Sequence, residues 1–189
     1  ERNFFCRLGT FAGSFTLEAA AAVAEGNGVT AVAALEMLVS LAAKSLISFD
    51  GSEPPGRWRL LETIRAYALE QLEQHGETQE ARRRHAEYFR SLFALRVSEA
   101  SHPLSPEDLA PLLRELDDIR AALDWSFAPC GDVAIGIDLT AAFAQAWLHS
   151  SLVVECRERC ERALRYCPSD RTSHAAQRLQ LLTGLGSAL

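Results

Sequence analysis

No apolar run in this chain reaches the roughly 18 residues that would suggest a membrane span. The Ala-rich stretch 19–24 follows Glu18 and has no charged leader, so it does not read as a secretory signal. Basic charge is also in short supply. Lys and Arg number 19 against 25 Asp and Glu, a net of −6 with a pI near 5.4. That balance argues against a general binder of nucleic acid or anionic membrane, while leaving room for local basic patches. Cysteines are few and odd in number (Cys6, Cys130, Cys156, Cys160 and Cys167). A chain of this length with so sparse a set reads as one carrying reduced cytoplasmic thiols, not a disulfide framework.

The motifs of catalysis are missing as well. The chain has no Gly-x-x-x-x-Gly-Lys-Ser/Thr phosphate loop, no Gly-x-Gly-x-x-Gly, no Gly-x-Ser-x-Gly elbow and no His-Glu-x-x-His. Cys156 and Cys160 share a helix face, with Cys167 and His149 near in sequence. That set would suit zinc chemically, but the spacing lacks a two-residue knuckle, and small core thiols are the simpler reading. Asp117 and Asp118 point about 100° apart on a helix, so they read as surface acidity beside Arg120 and not as a catalytic pair. The segment is expected to be non-enzymatic, with no metal or cofactor of its own.

What is present is helical sequence. Hydrophobic residues make up 48% and charged residues 23%, enough for a packed core. Phe4, Phe5, Leu8 and Phe11 sit at helical spacing over 2–12, with Gly13 as a stop. Thr16 caps a second helix that should end near Gly26-Asn27-Gly28. Thr30 caps a third, and Val32, Leu35, Leu38, Val39 and Leu41 predict one buried face. The period then changes. Residues 45–49 and 57–60 predict two short strands around the turn-rich 50–56. Three helices and a hairpin are the order of a winged helix.

Helical periodicity returns at Leu61 and runs through Ile64, Ala68 and Leu72 to Gly76. A further helix covers 79–98, with Ala81, His85, Tyr88, Phe89, Leu92 and Leu95 inward and Arg82-Arg83-Arg84 on a solvated face. Residues 101–106 read as a linker, 106–127 as one helix, and 132–149, 151–167 and 172–189 as three more, the last two separated by Pro168-Ser169-Asp170. Paired helices of roughly 35–45 residues are close to tetratricopeptide-type units. The fold class is therefore mostly α: a winged-helix-like domain of three helices plus a β-hairpin over 1–75, then an α-helical, TPR-like repeat array over 76–189. The chain begins with Glu1 and stops inside an apolar pattern, so it reads as a fragment of a longer protein.

Winged helices often bind DNA through the third helix, which must then offer Arg, Lys, Asn or Gln to phosphates and base edges. Here residues 30–43 hold Glu36 as their sole charge, followed by Lys44. Over residues 1–50 three basic residues face five acidic ones, a net of −2. The wing adds Arg57 and Arg59 but also Asp50 and Glu53. Direct DNA binding by this segment is not the reading the residues favour.

A set of stretches carries a resemblance. They are Leu8-Gly-Thr-Phe-Ala-Gly-Ser-Phe-Thr-Leu-Glu-Ala-Ala20, Leu38-Val-Ser-Leu-Ala-Ala-Lys-Ser-Leu-Ile47, Trp58-Arg-Leu-Leu-Glu-Thr-Ile-Arg-Ala-Tyr-Ala68, Arg83-Arg-His-Ala-Glu-Tyr-Phe89 and Leu116-Asp-Asp-Ile-Arg-Ala-Ala-Leu-Asp-Trp125. In this order they resemble the region after the nucleotide-binding core of bacterial STAND-type ATPases, the large transcription regulators that often carry a LuxR-type or OmpR-type DNA-binding domain. The resemblance implies an upstream NB-ARC-like domain that binds ATP or ADP, a winged helix that packs on it, and repeats that serve as sensor or scaffold. It thus implies a cytoplasmic signalling or transcription regulator. Its partners would be its own ATPase domain and a protein or a small-molecule inducer.

One departure stands out. Where many members carry Met-His-Asp after the wing, this chain has Leu60, Leu61 and Glu62, so the phosphate-contacting His is absent. The expected role of Arg57, Arg59, Leu61, Glu62 and Arg65 is therefore mechanical coupling. Two alternatives accompany that reading: a DNA-binding winged-helix transcription factor segment, and a protein-interaction scaffold without a nucleotide switch.

Overall fold

The computed structural model describes residues 1–24, 30–52, 54–99, 106–167 and 175–188, with backbone alone for 95–99 and 106. The expected turn at 26–28, the wing residue Glu53, the 101–105 linker, the Pro168–Asp170 break and the side chain of Leu95 lie outside the described residues. The chain is mostly α with one small antiparallel hairpin, and it forms two compact units, Glu1–Tyr88 and Phe89–Leu189. That division falls inside a helix, whereas the seam read from sequence falls between two helices.

The first unit contains α1 (Arg2–Leu8), α2 (Leu17–Ala24), α3 (Ala31–Ala43), β1 (Ile47–Asp50), β2 (Arg57–Leu60), α4 (Glu62–Gln74) and the 78–88 part of α5 (Thr78–Glu99). Helix α1 stops earlier than its apolar spacing suggests. Gly9 caps it, and a Cβ there would lie 3.0 Å from Ala68 Cβ, so the glycine allows the end of α1 to close on α4. Thr16 Oγ1 accepts from the Ala19 amide at 3.3 Å, and Thr30 Oγ1 from the Ala33 amide at 3.2 Å, capping α2 and α3.

Strand β1 begins at Ile47 and not at residue 45, because Ser45 adopts φ 59 in ending α3. The register pairs Ile47 with Leu60 and Phe49 with Trp58. Trp58 also bridges Phe15 on its other side through two backbone bonds of 2.8 Å. The hairpin is thus fastened to the connection between α1 and α2. Gly76, at φ 71, ends α4.

The second unit contains residues 89–99 of α5, then α6 (Pro106–Leu113), α7 (Leu116–Ser126), α8 (Val133–His149), α9 (Val153–Arg165) and α10 (Ala175–Ser187). The single helix expected over 106–127 is two. Pro111 lies inside α6 without ending it; the break follows at 114–115, where Glu115 closes a tighter turn onto the Leu112 carbonyl at 3.1 Å.

Helix α8 is central and packs against α6, α7, α9 and α10. Its start is set by Asp132, whose carboxylate accepts from the Ala134 and Ile135 amides at 2.9 and 3.4 Å. Its end repeats that of α3: Ser151 sits at φ 59, as Ser45 does, and each is followed by an amide bonded five residues back, Leu152 to Trp147 and Leu46 to Leu41. Helix α9 is tied to α7 by Arg120, which grips Glu155 through two bonds of 2.9 and 2.6 Å, and by Arg159, 2.5 Å from Asp124. Arg162 completes this ladder, donating to the Phe127 carbonyl at 3.2 Å with its guanidinium over the Phe127 ring.

Candidate functional site

The coupling residues named from sequence cluster where β2 runs into α4. Arg57 donates from Nε to Ser14 Oγ at 2.8 Å and from Nη2 to the Ser14 carbonyl. Arg65 donates from Nε to the Phe11 carbonyl at 2.7 Å and from Nη1 to Glu62 at 3.2 Å. Together with the Phe15–Trp58 bridge, these bonds lock the 11–15 segment to the hairpin and to the start of α4. Charge-assisted bonds to backbone oxygen hold more firmly than neutral ones. Glu62 serves as the first-turn partner of Arg65.

The structure does not bring the remaining two residues into that cluster. Arg59 points outward, with no hydrogen-bond or ion-pair partner for its side chain among the described residues. Leu61 precedes α4 as its N-cap and is exposed, so it is not the first core position of that helix as its spacing suggested. The helical stripe truly begins at half-buried Ile64 and is carried by Ala68 and Leu72. An N-cap residue has left the helical path, so helical spacing does not govern where its side chain points.

The largest departure concerns α3. Ala34, Leu38 and Leu41 are buried, but Val32 is 68% exposed, Leu35 42% and Val39 54%. Steps of three and four residues put these three on one side of the helix, as a continuous apolar stripe. The signal was available: α3 has too few polar residues to make a polar face, so in a small unit some apolar face had to stay open. Lys44, at its end, is paired with Glu1 at 2.5 Å.

Other sequence-level readings are corrected too. Asp118 is fully buried and engaged, so only Asp117 of that pair is surface acidity. Tyr166 is exposed and stacks on Phe127. Arg83 and Arg84 pair along α5 with Glu80 and Glu87, the pattern of a solvated helix face.

Cys156 and Cys160 are both buried, and the Cys156 thiol donates to the Ala144 carbonyl at 3.7 Å; the neighbouring Cys156 and burial hold the Cys160 thiol above its usual range. Among the described residues no three His, Cys, Asp or Glu side chains converge on a point, and no helix is long and apolar enough to cross a membrane.

The chain is 35% identical over 147 residues to a protein of Mycobacterium bovis named "Putative HTH-type transcriptional regulator Mb0914c". It matches equally a Mycobacterium tuberculosis protein named "Putative HTH-type transcriptional regulator Rv0890c". The match takes in 78% of this chain but 16% of each relative, so the chain spans about a sixth of their length. No protein-family model matches the chain, and no solved structure does.

Proposed function

We propose that this chain is a non-catalytic regulatory segment of a transcription regulator of the nucleotide-switched STAND type. In this reading the first unit docks on protein and the second forms the start of a TPR-like scaffold. The observation that carries it is the surface of α3. A recognition helix must present hydrogen-bond donors and positive charge to DNA, and this one presents Val32, Leu35 and Val39. Arg57 of the wing is spent on the chain's own Ser14. The relatives' names support a place in transcriptional regulation.

The mechanism is a rigid-body shift of the first unit against an upstream ATPase domain, passed on through residues 57–72. ATP or ADP would belong to that upstream domain, and Leu61, in the place of the family's His, offers no donor to phosphate. The setting is the bacterial cytoplasm. Two measurements test this reading. In a mobility-shift assay over a salt series the chain should form no tight complex with DNA; tight binding that falls steeply with salt overturns it. In the full-length parent, ATP and ADP should give different protease sensitivity around residues 57–72; identical patterns would leave an interaction scaffold without a switch.

A second reading has its own support. The relatives are called HTH-type, which favours direct DNA binding, and the winged-helix order of elements is present in the first unit. Arg59 and Arg82, both exposed, would then be the first phosphate contacts. The same salt series decides between the two, with Arg59→Ala and Arg82→Ala each expected to flatten the salt slope only if DNA is the ligand.

A further inference from the structure

A groove of about 390 Å³ opens in the second unit between α5, α8 and α10. Phe93, Leu139 and Ala142 give it an apolar side; Arg90, Asp138 and Gln177 give it a polar one. This size and composition are those of small-molecule sites.

The polar groups are unequally satisfied. Gln177 Nε2 donates to Asp138 Oδ1 at 3.1 Å, which orients the carboxylate and leaves Oδ2 for another donor. Arg90 is half-buried and has no hydrogen-bond or ion-pair partner among the described residues. Other partly buried arginines of the chain are matched: Arg7 by Glu77, Arg65 by the Phe11 carbonyl, Arg120 by Glu155 and Arg159 by Asp124. Drawing a guanidinium part-way out of water without a counter-charge is costly. Arg90 and Asp138 do not relieve one another by pairing. One anion acceptor, one cation acceptor and an apolar wall between three helices make the complement of a small zwitterion.

We propose that this groove binds an amino acid or dipeptide with an apolar side chain. Its carboxylate sits on Arg90, its ammonium on Asp138, and its side chain against Leu139 and Ala142. This goes beyond the regulatory reading and does not depend on it, because binding is measured on the chain itself.

The test is ligand-observed saturation-transfer NMR of the chain with the apolar L-amino acids and their glycyl dipeptides at millimolar concentration, followed by calorimetry on the best binder. At least one zwitterion is expected to bind. Its affinity should fall about ten-fold or more in Arg90→Ala and in Asp138→Asn, as expected for a lost charged hydrogen bond. The C-terminal amide of the same compound should bind the unaltered chain about ten-fold or more weakly than the free acid does, a comparison that needs no variant and so holds even if one folds poorly. The proposal is overturned if no member of the panel binds, if the amide binds as well as the acid, or if both variants keep the affinity.

Discussion

Helix α3 of the first unit and helix α8 of the second have much the same construction. Each starts on a side-chain cap, Thr30 or Asp132, and each stops on a serine at φ 59. Each is apolar nearly all round. Yet α8 buries ten residues and α3 three. The difference lies in what surrounds them. Four helices cover α8, whereas α3 packs on α2 and β1 and leaves Val32, Leu35 and Val39 open. Apolar periodicity therefore says that a face is to be covered and not by what. Where the unit supplies no cover, the face is left for another surface, and on this rests the docking role proposed for α3.

The largest effect is expected where α8 is most deeply covered. Trp147 is fully buried in α8, and its indole nitrogen has no hydrogen-bond partner among the described residues, so its contribution is packing. Trp147→Ala should cost about 3–5 kcal/mol, read as a lower urea midpoint. A loss under about 1 kcal/mol would mean that α8 is not covered as described.

The shared helix ends come next. Ser45→Gly and Ser151→Gly should each raise stability by about 1 kcal/mol, since glycine takes the left-handed region without the Cβ penalty. Thermal melting of the two variants should show similar gains; a gain at one alone would end the parallel between the helices.

A smaller effect is expected on the open face. Changing Val32, Leu35 and Val39 singly to Ser should alter stability by no more than about 0.5 kcal/mol each. The triple variant should lose binding to the parent's remaining domains in a pull-down while melting nearly as before. A large stability loss would show that the stripe is covered within the chain after all.

The smallest expected effect involves charge and not cover. The hydrogen bond from Arg84 holds the Glu80 carboxyl below its ordinary value of 4.5. A lowered folded-state pKa gives stability present above the ordinary value and lost as pH falls through the folded one. The advantage of the natural chain over Glu80→Gln should therefore be slight at neutral pH, because the pair is exposed, and should vanish on acidification below 4.5. Denaturant midpoints across that range would show it, and an advantage that grows in acid would refute it.

What could be read in the sequence was local. The Thr30 cap, strand 57–60, and the bodies of α8 and α9 each follow from residues within a few positions of themselves. What could not be read depends on distant partners. The burial of Asp118 and the exposure of Val32, Leu35 and Val39 are set by which helix lies alongside, and spacing carries no record of that. A pairing such as that of Glu62 with Arg65 was of a legible kind, because three residues separate them on one helix. The grip of Arg57 and Arg65 on residues 11–14 was not, because more than forty positions intervene. Arg90 and Asp138 escaped notice altogether, since a groove assembled from α5, α8 and α10 leaves no motif.

Arg57 and Arg65 each place one bond on a main-chain oxygen, of Ser14 and of Phe11, and every residue type supplies those. Selection on this joint should therefore fall unevenly. Positions 57 and 65 are constrained to arginine by geometry, while Phe11, which accepts through its carbonyl, could drift toward other residues and still be held, and Ser14 could drift at the loss of the one bond to its hydroxyl. Over evolutionary time the grip should outlast the identity of what it grips, and relatives with unlike 11–14 segments should still carry the two arginines.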